Sequence, residues 1–118
     1  KAYVHVIGDA ASCGLPKAGH VANQEAKICA DAIVRLFSHQ QPDPAPVANS
    51  ACYSPITATT ASWLTAVYQY DSVNKKMVFA NNGGQTAGAA ATEAATHSTQ
   101  NFRQMNTWFN TLMGDSFA

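Results

Sequence analysis

Charge is what this sequence has least of. Lysine and arginine supply seven positions and aspartate and glutamate seven, so 12% of the 118 residues are charged and the formal net charge is zero. About a quarter of an average soluble domain is charged. Neutrality excludes the basic footprint of a nucleic-acid binder and the polybasic patch of a protein held on an anionic membrane surface. Long apolar runs are missing too, since none approaches the ~18 residues of a membrane span. The opening segment Lys1–Ile7 is too short and too polar in its alternation for a secretion signal. It starts at Lys1 in place of an initiator Met, so a preceding segment is expected. There is no Cys-x-x-Cys, no haem-attachment Cys-x-x-Cys-His and no Cys/His cluster at zinc spacing, so no metal site is expected. Cys13, Cys29 and Cys52 are an odd number, which leaves at least one thiol without an intrachain partner. No Gly-x-Gly-x-x-Gly occurs, which places a pyrophosphate-binding fold outside this chain.

Alanine is what the sequence has in excess, at 22 positions. A core lined by alanine buries little apolar area per residue, at ~25 cal/mol per Å², so a thin core is expected. Tyr3–Ile7 alternates and is β-branched, which predicts a strand ending at Gly8-Asp9-Ala10. From Lys17 to Ser38 the period becomes helical, with Ala22, Ala26, Cys29, Ile33, Leu36 and Phe37 on one stripe. Ala18, Ala22, Ala26 and Ala30 form a smooth ridge that another backbone or a flat ligand could approach closely. Pro42, Pro44 and Pro46 mark a linker. Beyond it, Cys52–Ile56, Ala61–Tyr70 and Lys76–Ala80 predict three strands, the last two joined by a turn at 71–75. Asn81–Ala91 is expected to be irregular. Glu93–Met113 predicts a helix carrying Phe102, Met105, Trp108, Phe109 and Leu112 on one stripe. The expected fold class is α+β: a strand–loop–helix unit, a small three-stranded antiparallel sheet and a C-terminal helix.

The strand–Gly8-Asp9–loop–helix unit carries the chemistry. A carboxylate at a strand end can hydrogen-bond a ligand hydroxyl, and the following helix N-terminus offers N–H donors and a positive dipole to an electron-rich atom. That pair suits a flavin, with Asp on the ribityl chain and the helix start at the N1/O2 edge, where negative charge collects on reduction. Gly-Asp alone is also what any strand end with a glycine turn and an Asp cap would show. Read from the residues alone, Cys52 is a small buried hydrophobe, and Cys29 and Trp108 on their apolar stripes are core. His5, His20, His39 and His97 show no ligand or triad spacing and take structural or solvent roles.

Together, Val4-His5-Val6-Ile7-Gly8-Asp9-Ala10, Leu15-Pro16-Lys17-Ala18-Gly19, Ala22-Asn23-Gln24 and Ala26-Lys27 resemble the third FAD motif of two-dinucleotide-domain flavoproteins. More narrowly, the chain resembles the C-terminal part of the flavoprotein subunit of flavocytochrome c sulfide dehydrogenase. The likeness runs on through Cys52-Tyr53-Ser54, Val67-Tyr68, Gly83-Gly84, Trp108-Phe109 and Asp115-Ser116-Phe117-Ala118. It departs at Asn49-Ser50-Ala51, where the family tends to have Asn-Thr before Cys-Tyr-Ser, and at Phe109, Ser116 and Ala118.

The resemblance implies that residues 1–41 are the last strand–helix element of an FAD-binding domain and 42–118 an α+β interface domain. It implies FAD as the cofactor, with Gly8 and Asp9 at the ribityl chain, Lys17, Ala18 and Gly19 at the pyrimidine edge, and Trp108 near the ring. Cys52 would be one member of a redox cysteine pair, its partner lying upstream of this chain. Sulfide would be the substrate, a c-type cytochrome subunit the electron acceptor, and the periplasm the compartment. The remaining FAD-binding and NAD-like domains of the parent chain would be further partners, and the chain alone would be inactive. Another possibility is a non-catalytic interaction or dimerisation module of a divergent flavoprotein like the pyridine-nucleotide-disulfide oxidoreductases. A quinone-reducing relative would need a basic amphipathic final helix. Arg103 among Asn101, Gln104, Asn106, Asn110 and Thr111 argues against that.

Overall fold

The computed structural model describes residues 4–80, 92–93 and 97–117. A short 3-10 turn (Gly8–Ala10) leads to helix α1 (Gly19–Phe37). Strands β1 (Val47–Pro55), β2 (Ala61–Asp71) and β3 (Lys76–Phe79) follow, then a two-residue strand β4 (Thr92–Glu93) and helix α2 (Thr99–Phe117). The class is α+β, as expected, built on an antiparallel sheet in the order β1-β2-β3. β4 adds two residue pairs to β2, at Leu64 and Thr65.

Local chemistry sets the ends of these elements. The Asp71 carboxylate accepts the Asn74 side-chain amide at 2.6 Å and the N–H groups of Val73 and Asn74 at 2.8 and 3.2 Å. Lys75 takes a left-handed φ of 53°, and the chain returns with Tyr68 opposite Phe79. The Asn74 side chain, then the two N–H groups, hold Asp71 below the usual carboxylate range. α2 starts at Thr99 and not at Glu93, because Ser98 Oγ accepts the Asn101 N–H at 3.0 Å as an N-cap. Glu93 itself pairs in β4. β1 starts at Val47, ahead of the expected Cys52, because the long β2 gives Val47 through Ala51 partners from Gln69 to Thr65. The segment Asn81–Ala91 lies outside the described residues.

Residues 4–7 differ from expectation. They pair with no strand among the described residues, although Ile7 is extended at φ −135° and ψ 170°. Tyr3 lies outside them. The inward face of α1 is also rotated from the expected stripe. Val21 and Glu25 are buried, and Ile28 packs on the core, whereas Ala26 is exposed and Phe37 is 84% exposed. The bulkier Val21 and Ile28 bury more area than alanine does. The acidic Glu25 between them hides this face from a reading by hydropathy. The core joins Ala48, Tyr68 and Met77, with Leu15, Ile28, Ala66, Tyr70 and Phe79 around them. Tyr68 and Phe79 stack across the sheet at 4.8 Å. No large side chain among the described residues is fully buried, the thin core that the alanine content implies.

Candidate functional site

The first turn of α1 gathers most of the groups singled out in the sequence. Ala18 is the N-cap residue, in extended conformation, and no side chain caps the turn. Its leading N–H groups therefore retain donor capacity and the positive end of the helix dipole. Gly19 opens the helix, and a Cβ there would meet nothing within 4 Å, so the approach is clear. Lys17 precedes it, its ammonium donating to the Ala11 carbonyl and closing the loop that leads into the helix. Trp108, from α2, stands edge-on to His20 in the same turn, with ring centroids 5.8 Å apart at 76°.

The turn containing Gly8 and Asp9 is fixed from inside. Gly8 adopts a left-handed φ of 67°, and its Cβ position would lie 3.8 Å from the Ala22 Cβ. The Gly8 N–H donates to Glu25 Oε2, and the Cys13 thiol donates to Oε1 at 3.1 Å. Glu25 is thus buried but satisfied on both oxygens. Burial pushes the Cys13 thiol up; the Leu15 N–H pulls against it, and the Glu25 carboxylate adds to the rise, so Cys13 stays protonated. Asp9 is exposed on this turn. Replacing Glu25 with leucine leaves the Gly8 N–H without its acceptor. The expected loss is about 2 kcal/mol in denaturant unfolding, with faster alkylation of Cys13. Unchanged stability and unchanged alkylation would show that Glu25 does not hold this turn.

Cys52 sits on β1, directly opposite Leu64 on β2. It is exposed, not buried as a small hydrophobe would be, and all three cysteines are free. Alternation along the strand puts it on the face of Ala48 and Ser50, opposite that of Tyr53. Tyr53 meets Trp108 at 5.4 Å and stacks on Trp63 at 6.4 Å. The structure therefore places Lys17, Ala18 and Gly19 at the start of α1, sets Trp108 against His20 of that turn, keeps Gly8 and Asp9 on the turn before the helix, and leaves Cys52 on the other face of β1. Cys29 is half-buried on α1.

Sequence reasoning missed two members of this region. His20 accepts the Ala51 N–H on Nδ1 at 3.0 Å. Burial, then the nearby Lys27 ammonium, lowers its proton affinity, so the ring is neutral. Its only sequence signal is its place directly after Gly19 at a helix start. Glu25 has one too: it follows Val21 by four residues and precedes Ile28 by three. Along the same face of α1 as His20, Asp115 binds Lys27 at 2.6 Å and Asn23 at 3.1 Å, which hold its carboxyl low and tie α2 to α1.

Chemically, the set offers N–H donors, an ammonium and a dipole to an electron-rich edge, with an aromatic ring at one side and a carboxylate nearby for a hydroxyl. Among the described residues no cluster of His, Cys, Asp or Glu could hold a metal ion, and no helix is long and apolar enough to cross a membrane. Residues 44–117 match a protein family described as flavocytochrome c sulphide dehydrogenase, flavin-binding. The match takes in β1 through α2, with Cys52 and Trp108, and starts beyond α1.

Proposed function

The chain belongs to the flavocytochrome c sulphide dehydrogenase flavin-binding family, whose cofactor is FAD, and from that premise we propose that it is the C-terminal portion of an FAD-dependent sulfide dehydrogenase. Residues 1–41 are the closing strand–helix element of the FAD-binding domain, and 42–118 form the interface domain. The acceptor is a c-type cytochrome subunit, in line with the family's name, and the compartment is the periplasm. The first turn of α1 carries this proposal, because an uncapped set of donors, a clear approach at Gly19 and the indole of Trp108 converge there.

When bound, FAD supplies a two-electron acceptor that can release electrons singly to a cytochrome. The N–H groups of the α1 first turn and the Lys17 ammonium hold the electron-rich edge of its ring and favour the reduced form. Asp9 accepts a ribityl hydroxyl, and the glycine at 8 lets the backbone come close. Trp108 excludes water from one side. Cys52 pairs with a cysteine outside this chain. Hydrosulfide attacks that disulfide, a new S–S bond forms on one cysteine, the Cys–Cys bond breaks, and the other sulfur leaves as a thiolate.

Lys17→Ala tests the cofactor assignment in the complete flavoprotein. Losing one cation at the reduced ring's edge is worth about 1 kcal/mol, which lowers the two-electron flavin potential by roughly 20 mV. Spectroelectrochemical titration reads it directly. An unchanged potential in a protein with FAD fully bound would place Lys17 away from the ring.

A further inference from the structure

His20 has no task in the chemistry above, yet it joins three elements. From the first turn of α1 its Nδ1 takes the Ala51 N–H of β1 at 3.0 Å. Its ring meets Trp108 of α2 edge-to-face at 5.8 Å, and the same indole meets Tyr53 at 5.4 Å. β1 is an edge strand, so an N–H that it does not give to β2 needs an acceptor elsewhere. Ala51 is the residue immediately before Cys52. One imidazole thus holds the backbone entering Cys52 and the indole beside the α1 first turn.

We propose that His20 is a positioning residue, tying the Cys52 segment of β1 and the Trp108 ring to the start of α1 in one arrangement. Its importance for sulfide oxidation rests on the role of Cys52 proposed above, whereas the tie itself does not. A proton on Nδ1 removes the lone pair that accepts the Ala51 N–H. It also adds a cation at the positive end of the α1 dipole. The Ala51 bond is therefore lost when His20 is protonated, and the Trp108 ring then faces a cation in place of a neutral imidazole.

Burial sets the direction, and the charged surroundings add to it. On its own helix His20 faces Lys27, which opposes protonation. From α2, Asp115 lines the same groove, already bound to Lys27. β1 carries no ionisable group besides Cys52 and Tyr53. Because proton affinity is lower in the folded protein than the ordinary histidine value of 6.5, the unfolded chain takes the proton first. The stability that the neutral ring supports is complete above pH 6.5 and declines as pH falls through the folded value.

The experiment is a pH titration of the full chain from about pH 8 to pH 5. Three signals are followed: amide exchange at Ala51, indole fluorescence, and alkylation of Cys52 by iodoacetamide resolved by mass spectrometry. In the unsubstituted protein, Ala51 exchange corrected for intrinsic rate should rise about five- to tenfold at low pH, the loss of one hydrogen bond. The indole signal and Cys52 reactivity, corrected for thiolate fraction, should step at the same pH. His20→Gln keeps an acceptor but cannot titrate, so it should abolish the step and retain protection. His20→Leu should lose protection at every pH. Asp115→Asn should retain the step. The proposal is overturned if the step survives in His20→Gln, or if Ala51 exchanges in a folded His20→Leu as it does with histidine present. Should His20→Leu not fold, the unsubstituted and His20→Gln titrations still decide. No readout involves sulfide, so failure of the Cys52 chemistry and failure of the His20 tie are separately visible.

Discussion

Replacing Cys52 with serine is expected to remove sulfide oxidation from the complete flavoprotein while leaving its FAD in place. Serine cannot form the S–S bond that hydrosulfide attacks, and its hydroxyl is a far poorer nucleophile and leaving group than a thiolate. Loss of a covalent nucleophile costs on the order of 10³-fold or more in turnover. Neither remaining cysteine of this chain is placed to substitute. Cys13 is held as a thiol by burial and by its bond to Glu25, and Cys29 is half-buried on α1. Retention of FAD follows from position. Cys52 is exposed on the face of β1 opposite Tyr53, whose ring packs on Trp108, and serine is nearly the same size. The checks are sulfide-dependent reduction of a c-type cytochrome and the flavin absorbance of the purified variant. Unchanged turnover would return Cys52 to a structural role and favour the non-catalytic interaction module. Loss of flavin together with activity would mean that the substitution disturbs the fold.

The α+β class and the main antiparallel ladder were legible because they rest on strong local signals. Ala61–Tyr70 alternates over its whole length, and Asp71 with Asn74 is a turn built from side-chain bonds to the backbone. The start of β1 was not legible. Ala48 and Ser50 are small and carry little strand preference, and β2 recruits them from across the sheet. α1 was placed well along the chain but rotated about its axis. Its inward face includes Glu25, whose burial depends on an N–H and a thiol from a loop far away in sequence. The end of the predicted first strand had no partner to specify it. Residues 4–7 pair with no strand among the described residues, since β-branched alternation is local and pairing is not. At the site, Lys17, Ala18 and Gly19 were legible as a helix start. His20 was not, because its significance comes from meeting Ala51 and Trp108, neither of which lies near it in sequence.

Gly14→Ala is the substitution with the largest expected effect on stability. Gly14 sits in the loop that lays the N-terminal segment over the sheet, with a φ of +89°. A side chain in that conformation costs about 1 kcal/mol. The new methyl would also stand 2.7 Å from the Met77 carbonyl oxygen and 3.6 Å from its nitrogen. The obstacle is backbone in a sheet strand, which cannot swing aside as a flexible side-chain tip would. The loop must move instead. Its attachment is the Met77 N–H donated to the Cys13 carbonyl at 2.7 Å, and loss of that bond costs about 1 kcal/mol more. Lifting the loop also uncovers Leu15 and the buried Met77, both part of the core cluster, for a further ~1–2 kcal/mol. The sum, about 3–4 kcal/mol, is severe for a core without a single large, fully buried side chain among the described residues. Gly114→Ala is the matched control. Gly114 lies in α2, and a Cβ there meets nothing within 4 Å, so alanine should be neutral or stabilise by up to about 1 kcal/mol through helix propensity. Urea midpoints of the two variants should therefore move in opposite directions, or one only. If Gly14→Ala unfolds at the midpoint of the unsubstituted protein, the loop is not docked on β3. The Cys13–Glu25–Gly8 arrangement, which depends on that docking to bring Cys13 under α1, would then have to be abandoned with it.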